Sequence, residues 1–393
     1  MAGPGVTPFG TGVQRFGDRG ARFLRLDFVL LLATLGLIVF SLVTLGSATS
    51  DNYFVTHQAG YASVGLALMF VLAFFDYSRL RELKWGLYGT MIGLILLVLV
   101  AGTATRGSRR RIDLPFFGFQ PSEFGKILLV LALSAFAIEF MRRRSEREIT
   151  ARVILLAIIP AMLVMAQPDL GTSIVYVAIG LAVLFIIGVS WRQFAGLAAI
   201  VGVAAMLALV VAPAIGLPVL KGYQQDRLTA FLHKDDVDPR SQGYQLNQSV
   251  TAIGSGQKTG RGPEGATQTQ LDFLPESHTD FIFAVVGEQY GFVGAGLVLT
   301  LYALLIWRAL RILTISKNLF GAIVAGAITA MLMTQVFVNA GGNVGIMPIT
   351  GIPLPLLSYG GSSVIVTLIA LGLLQSIYVQ ARETAASKRE VLA

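Results

Sequence analysis

The 393-residue sequence contains no cysteine. A disulfide, a thiolate metal site and a cysteine nucleophile are therefore excluded. Charge is also scarce, because Asp, Glu, Lys and Arg make up 13% of the residues, against about 25% in an ordinary soluble domain. Hydrophobic residues make up 54% of the chain, and the mean hydropathy is +0.71. Since the apolar residues lie in long runs, this composition predicts a polytopic membrane protein.

Ten apolar runs are long enough to cross a bilayer, and lipid requires them to be helical because it offers the backbone no other hydrogen-bond partner. We therefore expect an all-α fold with about ten transmembrane helices in a single membrane domain at 23–380. The predicted spans are 26–48, 59–75, 86–102, 123–141, 152–167, 170–187, 192–216, 280–306, 319–340 and 358–379. Only QPDLG at 167–171 separates the fifth from the sixth, so one long helix kinked at Pro168 is the alternative there.

The distribution of Lys and Arg predicts the orientation in the membrane. The loops at 49–58, 167–170 and 341–357 contain neither residue, and we place them outside by the positive-inside rule. We expect a flexible cytoplasmic tail at 1–22, a second one at 381–393, and a plasma-membrane location. The net charge of +8 follows from the same bias, so we expect no nucleic-acid partner.

Two outer segments depart from this pattern. Loop 217–279, between the seventh and eighth spans, is too long for a simple connector, and we expect it to form an ordered cap with short helices. Loop 103–122 is short, yet it contains RGSRRR. The arginines of this stretch are Arg106, Arg109, Arg110 and Arg111. They either contact solvent and lipid headgroups, or they bind an anionic ligand such as a pyrophosphate.

The stretch LPESHTDFIF places acidic side chains where an apolar run begins. If 276–288 is helical, Glu276, Asp280 and Ala284 stack on one face, with Glu288 nearby. Two carboxylates one turn apart repel each other unless a cation bridges them, one is protonated, or the helix N-terminus stabilises them. Each arrangement suits a site with a general base or a bound metal. Helix capping and a buried structural pair are the alternatives, and we expect His278 to be a hydrogen-bonding neighbour.

The motif FQPSEFGK opens the fourth span. Pro121 fits the first turn of a helix, with Gln120 in the capping position. Glu123 and Lys126 are three residues apart and are predicted to pair. Either they form a structural ion pair, or Lys126 binds a phosphate that Glu123 helps to orient.

Two further motifs lie at predicted outer helix ends. In QPDLGTS, Asp169 is predicted to cap the sixth span, with a role in a site as the alternative. In PITGIPLPLLSYGGSS, irregular backbone must line a cavity or be buried in protein. Ser358, Ser362 and Ser363 then either donate to a ligand or satisfy the backbone. All these motifs fall on the outer side, which predicts one polar pocket there.

In order along 102–375, the motifs FQPSEFGK, QPDLGT, GYQLNQSVTAIGSG, LDFLPESHTDFIFAVVGEQYGFVG and PITGIPLPLLSYGGSS resemble those of the SEDS family, the shape, elongation, division and sporulation proteins. The AIGSG and TQTQLDFLPE segments are most similar to its RodA elongation branch. The resemblance implies a ten-helix peptidoglycan glycosyltransferase that polymerises lipid II on the outer face of a bacterial plasma membrane. A class B penicillin-binding protein, the transpeptidase, is the implied partner.

The resemblance also assigns residues. The family's essential aspartate corresponds to Asp280, which we expect to act as the general base. Glu123, Lys126 and Arg110 match other family motifs, whereas Arg111 replaces the usual Trp and Gln257 a common Gly. The expected substrate-binding residues are Arg110, Glu123, Lys126, Asp169, Glu276, His278, Glu288, Ser358 and Ser362.

We expect no organic cofactor, and a divalent Mg or Mn ion is a further hypothesis, with Asp280 and Glu276 as its candidate ligands. Three other functions stay open at this point. They are a lipid II flippase, a member of the FtsW-like division or sporulation branch, and a noncatalytic scaffold for the transpeptidase. A flippase needs a polar path across the bilayer, whereas the notable residues here gather on one side.

Overall fold

The structure is a computed structural model that describes residues 25–48, 52–105, 108–114, 117–207, 242–271, 273–274 and 276–392. Before the large loop the helices are α1 (Phe28–Ala48), α2 (Asn52–Ala73), α3 (Lys84–Ala101), α4 (Pro121–Met141), α5 (Glu146–Ala166), α6 (Leu170–Ile186) and α7 (Trp191–Met206). Within and after it they are α8 (Gln242–Ser255), α9 (Gly262–Gly265), α10 (Thr267–Gln270), α11 (Ile282–Ile315), α12 (Leu319–Asn343) and α13 (Gly361–Leu392). The predicted tail at 1–22 lies outside the described residues.

Each of the ten predicted spans has a helix in the structure. Within the described residues, α1–α5 and α11–α13 are long and apolar enough to cross a membrane. Helix α6 is an apolar helix of 17 residues, and the described part of α7 has 16. This confirms the all-α polytopic fold. The helices α5 and α6 are separate, so the alternative of one kinked helix is wrong. Helix α13 continues to Leu392, so the segment predicted as a tail at 381–393 is largely helical.

Three helices form the centre of the bundle. In the most apolar stretch of each helix, 94% of the residues are buried in α13 and 72% in both α4 and α12. The corresponding share in α3 is 17%. Helix α13 packs along α2, α4 packs against α3, and α11 packs against both α1 and α12. Apart from Thr90, the exposed residues of α3 are apolar or glycine, as expected for a helix that contacts lipid.

Loop 103–122 contains three short antiparallel strands that were not predicted. They are β1 (Thr103–Thr105), β2 (Ser108–Leu114) and β3 (Phe117–Phe119). Ala104 lies opposite Arg109, and Ile112 lies opposite Phe119. Two of the strands have only three residues, and the seven of β2 do not alternate between apolar and polar, so none is recognisable in the sequence. The strand β2 packs against α3 and α4, so this small sheet holds the arginine stretch against the bundle.

The described part of the large loop contains the short helices α8, α9 and α10, as predicted for a cap. The loop after α8 inserts into a break in α11 at Gly291, whose φ of 63° is left-handed. The amides of Phe292 and Val293 donate to the carbonyls of Gln257 and Lys258 at 2.8 and 3.1 Å. A side chain at Gly291 would collide with the loop, because its Cβ would lie 2.4 Å from the backbone nitrogen of Gly260. The cap is therefore joined to α11 through backbone hydrogen bonds.

Candidate functional site

The segment around Asp280 is a series of turns, and α11 begins only at Ile282. The predicted stacking of Glu276, Asp280 and Ala284 on one helix face is therefore wrong. Glu276 adopts a left-handed φ of 58°, which a helix does not allow, and its carboxylate accepts a hydrogen bond from Thr279 Oγ1 at 3.0 Å. Asp280 is half-buried and lies just before the first turn of α11.

Two buried asparagines from the end of α12 hold the backbone of Asp280. Asn339 Nδ2 and Asn343 Nδ2 donate to its carbonyl oxygen at 2.9 and 3.0 Å. Asn339 Nδ2 also donates to the carbonyl of Ile352 at 2.8 Å, and Asn343 Oδ1 accepts from the amide of Ala284 at 3.2 Å. We call Asn339 and Asn343 the asparagine clamp. The asparagine clamp thus fixes the position of the Asp280 backbone.

The asparagine clamp was missed in the sequence analysis. Its signal was the polar pair in NAGGN at 339–343, which ends an otherwise apolar helix. Two amides with this spacing lie on one helix face, and buried amides require partners. What they bind is remote in sequence, so the spacing alone does not identify Asp280 as their target.

Ser358 and Tyr359 fix the two residues before Asp280. The Ser358 hydroxyl donates to the carbonyl of Thr279 at 2.6 Å and accepts from the amide of Leu354 at 2.8 Å. The next residue, Tyr359, donates its amide to the carbonyl of His278 at 2.9 Å. The segment before α13 and the turns before α11 are therefore hydrogen-bonded along their backbones. These contacts match the reading in which Ser358 satisfies the backbone.

His278 lies among aromatic rings. Its ring centroid is 4.6 Å from that of Phe54 and 6.0 Å from that of Tyr359. Burial, together with the nearby Tyr61, raises the pKa of Tyr359. The rings restrict the orientation of the His278 side chain.

Three predicted outer motifs meet at the start of α4. Ser362 accepts a hydrogen bond from the amide of Gln120 at 3.0 Å and donates to the carbonyl of Gly118 at 2.8 Å. Gln120 occupies the predicted capping position of α4, but its side chain makes no capping hydrogen bond. Its Nε2 donates to Asp169 Oδ2 at 3.3 Å. Asp169 caps α6 as predicted, since its other oxygen accepts from the amide of Thr172 at 3.0 Å.

Gly171 brings the Asp169 motif onto the segment before α13. A Cβ at this position would lie 2.5 Å from Ile352 Cγ1 and 2.9 Å from the carbonyl of Thr350. Only glycine allows so close an approach. Asn339 also donates a hydrogen bond to the carbonyl of Ile352. The segment 350–362 therefore contacts the starts of α4 and α6 and is linked to the start of α11.

Glu123 and Lys126 form the predicted ion pair inside the protein. Lys126 Nζ lies 2.7 Å from Glu123 Oε2, and each side chain is only 2% exposed. Glu123 Oε1 accepts no hydrogen bond from the described residues. Two charges removed from water normally need further hydrogen bonds to offset their desolvation. This pair therefore retains hydrogen-bonding capacity that the described residues do not use.

Arg110 lies in the middle of β2. Side chains alternate along a strand, so Arg110 shares a face with the half-buried Ile112, whereas Arg111 and Asp113 share the exposed face. Arg111 pairs there with Asp113 at 3.1 Å, which contributes little in water. Arg110 is thus on the inner side of the sheet, toward the bundle. Arg106 lies outside the described residues.

Glu288 is fully buried and serves the cap. Its carboxylate accepts from the amides of Gln268 and Thr269 at 2.8 and 3.0 Å and from Thr269 Oγ1 at 2.7 Å. These donors belong to α10, in the large loop. Its contacts fit the structural alternative for this residue, and its predicted role in substrate binding stays a prediction.

The described residues contain no group of three or more histidine or acidic side chains placed to hold a metal ion. Glu276 and Asp280 are the candidate ligands in this region, and Glu276 already accepts from Thr279. Two carboxylates suffice for a Mg²⁺ ion only when substrate phosphates complete its coordination. The residues thus fit a cation that arrives with a pyrophosphate, not a preformed metal centre.

These contacts define a class of protein: a helical membrane protein whose polar motifs are joined at one end of the bundle around a positioned aspartate. The chain belongs to the cell cycle protein family of FtsW, RodA and SpoVE, whose model matches residues 23–383. The match confirms the resemblance to the shape, elongation, division and sporulation proteins.

Known proteins resemble the chain along most of its length. The peptidoglycan glycosyltransferase MrdB of Escherichia coli K12 is 40% identical over 358 residues, which cover 90% of this chain and 94% of the relative. A solved structure described as a peptidoglycan synthase complex that coordinates polymerization and crosslinking has a TM-score of 0.77 and 34% identity, covering 91% of this chain and 98% of its own. The crystal structure of the rod shape determining protein RodA of Thermus thermophilus has a TM-score of 0.66 and 30% identity, with coverages of 90% and 96%.

Proposed function

We propose that this protein is a peptidoglycan glycosyltransferase that polymerises lipid II into glycan strands during cell elongation. The observation that carries the proposal is the half-buried Asp280, whose carbonyl is held by the asparagine clamp at the entrance to α11. A general base must be held at a fixed position, because small displacements of a catalytic group lower the rate steeply. The high identity to MrdB supports the same activity.

In the proposed reaction, the C4 hydroxyl of the lipid II sugar attacks the anomeric carbon of the growing strand. Asp280 accepts the hydroxyl proton as the new C–O bond forms. The bond from the anomeric carbon to the undecaprenyl pyrophosphate breaks, with inversion, and the pyrophosphate leaves with the bonding electrons. A position at the rim of the membrane suits Asp280, since the lipid tails stay in the bilayer while the headgroups react above it.

Arg110 and Lys126 are proposed to stabilise the negative charge of the departing pyrophosphate. Arg110 lies on the inner face of β2, and Lys126 lies one turn into α4. Glu123 orients Lys126 through their ion pair. Asp280 and Glu276 would hold a divalent Mg or Mn ion, which would supply positive charge that stabilises the leaving group.

We further propose that the end of the bundle bearing Asp280 faces outward, with both termini in the cytoplasm of a bacterial cell. The absence of Lys and Arg from the loops at 49–58 and 341–357 supports this orientation. A class B penicillin-binding protein is the proposed partner, because a neighbour in fold belongs to a complex that couples polymerization to crosslinking.

The test uses purified protein with its transpeptidase, lipid II and Mg²⁺, and measures glycan polymer on a gel. We expect polymer from the wild type and none from Asp280→Asn, with equal expression and thermal stability. Asp113→Asn is the matched control, since that aspartate lies on the exposed face of β2, and it should polymerise normally. Normal polymer from Asp280→Asn would refute the assignment of the base. No polymer from any variant, together with lipid II transfer between leaflets, would favour a flippase.

A further inference from the structure

A cavity lies at the opposite end of the bundle, where α11 and α13 end. Its volume is about 350 Å³. A second cavity of about 290 Å³ adjoins it, and the two share Arg308, Tyr378 and Arg382. The first cavity is lined by Arg308, Arg311, Ile315, Tyr378, Ala381, Arg382 and Ala385. Among the described residues, no acidic side chain belongs to its lining, so this surface attracts an anion.

The positive charge of the first cavity is only partly neutralised. Arg308 is paired with the buried Asp27 at 2.6 Å. Within the described residues, Arg311 and Arg382 form no ion pair, and both are exposed. Residues 1–24 contain three arginines and one aspartate, so the net charge of that segment is also positive.

The shared aromatic residue orients two of these arginines. Arg382 Nη2 donates to the hydroxyl of Tyr378 at 2.8 Å, and its guanidinium lies 5.3 Å from the centre of the same ring. The Arg308 guanidinium lies 5.9 Å from the centre of the Tyr378 ring. Tyr378 itself is buried. Guanidinium groups held in place lose less freedom when they bind a phosphate, and their planar N–H donors match its oxygens.

The surroundings of the two cavities are those of a membrane surface. Trp307 is 53% exposed and lies 5.3 Å from the Arg308 guanidinium. Phe28 and Val29 line the second cavity and are 57% and 38% exposed. Exposed tryptophan and arginine side by side are typical of the level of the lipid headgroups, whereas apolar side chains next to them contact acyl chains.

We propose that these cavities bind the phosphate headgroup of an anionic phospholipid, with Arg311 and Arg382 as the principal contacts, on the membrane face opposite Asp280. Basic pockets between transmembrane helices commonly bind anionic headgroups. The apolar residues beside the pocket favour a lipid over a soluble phosphate, because they provide a surface for its acyl chains. The bound lipid would bridge α1, α11 and α13, three helices that meet at this point.

The test measures binding of phosphatidylglycerol to the purified full-length protein by native mass spectrometry, with phosphatidylcholine for comparison. The variant Arg311→Gln/Arg382→Gln removes two contacts and keeps the pair of Asp27 and Arg308. We expect its affinity for phosphatidylglycerol to fall about thirtyfold, since each basic residue near an anionic surface contributes about a factor of five. The control Arg142→Gln/Arg143→Gln removes the same charge from the exposed turn after α4 and should bind as the wild type does.

Three results would overturn the proposal. An equal loss in both double variants would show a general effect of surface charge. Equal binding of phosphatidylcholine and phosphatidylglycerol would show that headgroup charge is not recognised. Displacement of the lipid by millimolar inorganic phosphate would assign the pocket to a soluble anion. If the double variant does not fold, the single variant Arg311→Gln decides, because an exposed residue tolerates this change, and it should lose affinity about fivefold.

Discussion

Two ion pairs are buried at opposite ends of the bundle, and their surroundings differ. At the end distant from Asp280, the carboxylate of Asp27 accepts from Arg308 at 2.6–3.1 Å and from the amide of Leu30 at 3.1 Å. Its backbone amide and carbonyl bond Gln375 at 2.9 and 3.0 Å. At the other end, Glu123 contacts Lys126 at 2.7 Å, and its second oxygen accepts nothing from the described residues.

A buried ion pair contributes to stability only when further hydrogen bonds satisfy both charges. The pair of Asp27 and Arg308 meets this condition and joins α1, α11 and α13. The pair of Glu123 and Lys126 does not meet this condition within the described residues. Both residues lie in α4, so the pair does not connect two helices. The difference indicates a structural role for the first pair, and for the second it supports the proposed role at a pyrophosphate.

Replacing both members of each pair tests this comparison most strongly. In Glu123→Gln/Lys126→Met, a charged pair is exchanged for side chains of similar size, so the free energy of unfolding should change by less than about 1 kcal/mol. The rate of glycan polymerisation should fall about a hundredfold to a thousandfold, as when a positioned donor is removed from a transition state. Polymer gels and thermal unfolding of the purified variant measure the two effects.

Asp27→Asn/Arg308→Met is the matched double variant at the opposite end. It should polymerise lipid II at the wild-type rate per folded molecule. The comparison fails if this variant is inactive while folded, or if the Glu123→Gln/Lys126→Met variant keeps its activity.

Breaking the satisfied pair should have the largest effect on stability. Asp27→Ala leaves Arg308 without its partner and removes the cap of α1, so we expect the free energy of unfolding to fall by about 3–5 kcal/mol. Thermal unfolding in detergent measures the loss. The control is Asp76→Ala, since Asp76 is exposed and caps a short helix by accepting from the amide of Ser78 at 3.0 Å. It should cost about 1 kcal/mol. Equal losses would mean that the burial of Asp27 carries no energetic weight.

Two asparagines allow the same comparison of the two ends of the bundle with neutral side chains. Asn343→Ala removes one half of the clamp on Asp280, so the rate should fall about tenfold to a hundredfold because the proposed general base is displaced. Asn318 at the other end caps α12 by accepting from the amide of Gly321 at 2.8 Å. Asn318→Ala should lower stability by about 1 kcal/mol and leave the rate per folded molecule unchanged. A similar fall in rate for both variants would mean that the clamp acts only through global stability.

What could be predicted from the sequence was local. The apolar runs located the ten helices α1–α7 and α11–α13, the i, i+3 spacing identified the pair of Glu123 and Lys126, and turn chemistry identified Asp169 as a cap. Each of these features depends on residues within one or two turns of each other. Physical rules for short separations therefore suffice for them.

What could not be predicted was set by distant partners. The asparagine clamp lies 59 and 63 residues from Asp280 along the chain, and the three strands of loop 103–122 have no clear alternation of their own. The segment at 276–281 has a helix-like spacing of acidic residues, yet hydrogen bonds from Ser358 and Tyr359 hold it as turns. Tertiary hydrogen bonds therefore decide the geometry of the site.

Glu288 tests whether the role of an acidic residue depends on its location in the bundle or on the hydrogen bonds to its carboxylate. It lies at the same end as Asp280, yet its carboxylate is satisfied by three donors, as Asp27 is. Glu288→Gln should therefore weaken the attachment of α10 by about 1–2 kcal/mol and change the polymerisation rate only slightly. Hydrogen exchange at the amides of 267–271 should become faster, while the exposed control Glu264→Gln should leave it unchanged. If Glu288→Gln abolished polymerisation without faster exchange, Glu288 would contact the substrate, and satisfied hydrogen bonds would no longer distinguish structural acids from catalytic ones in this protein.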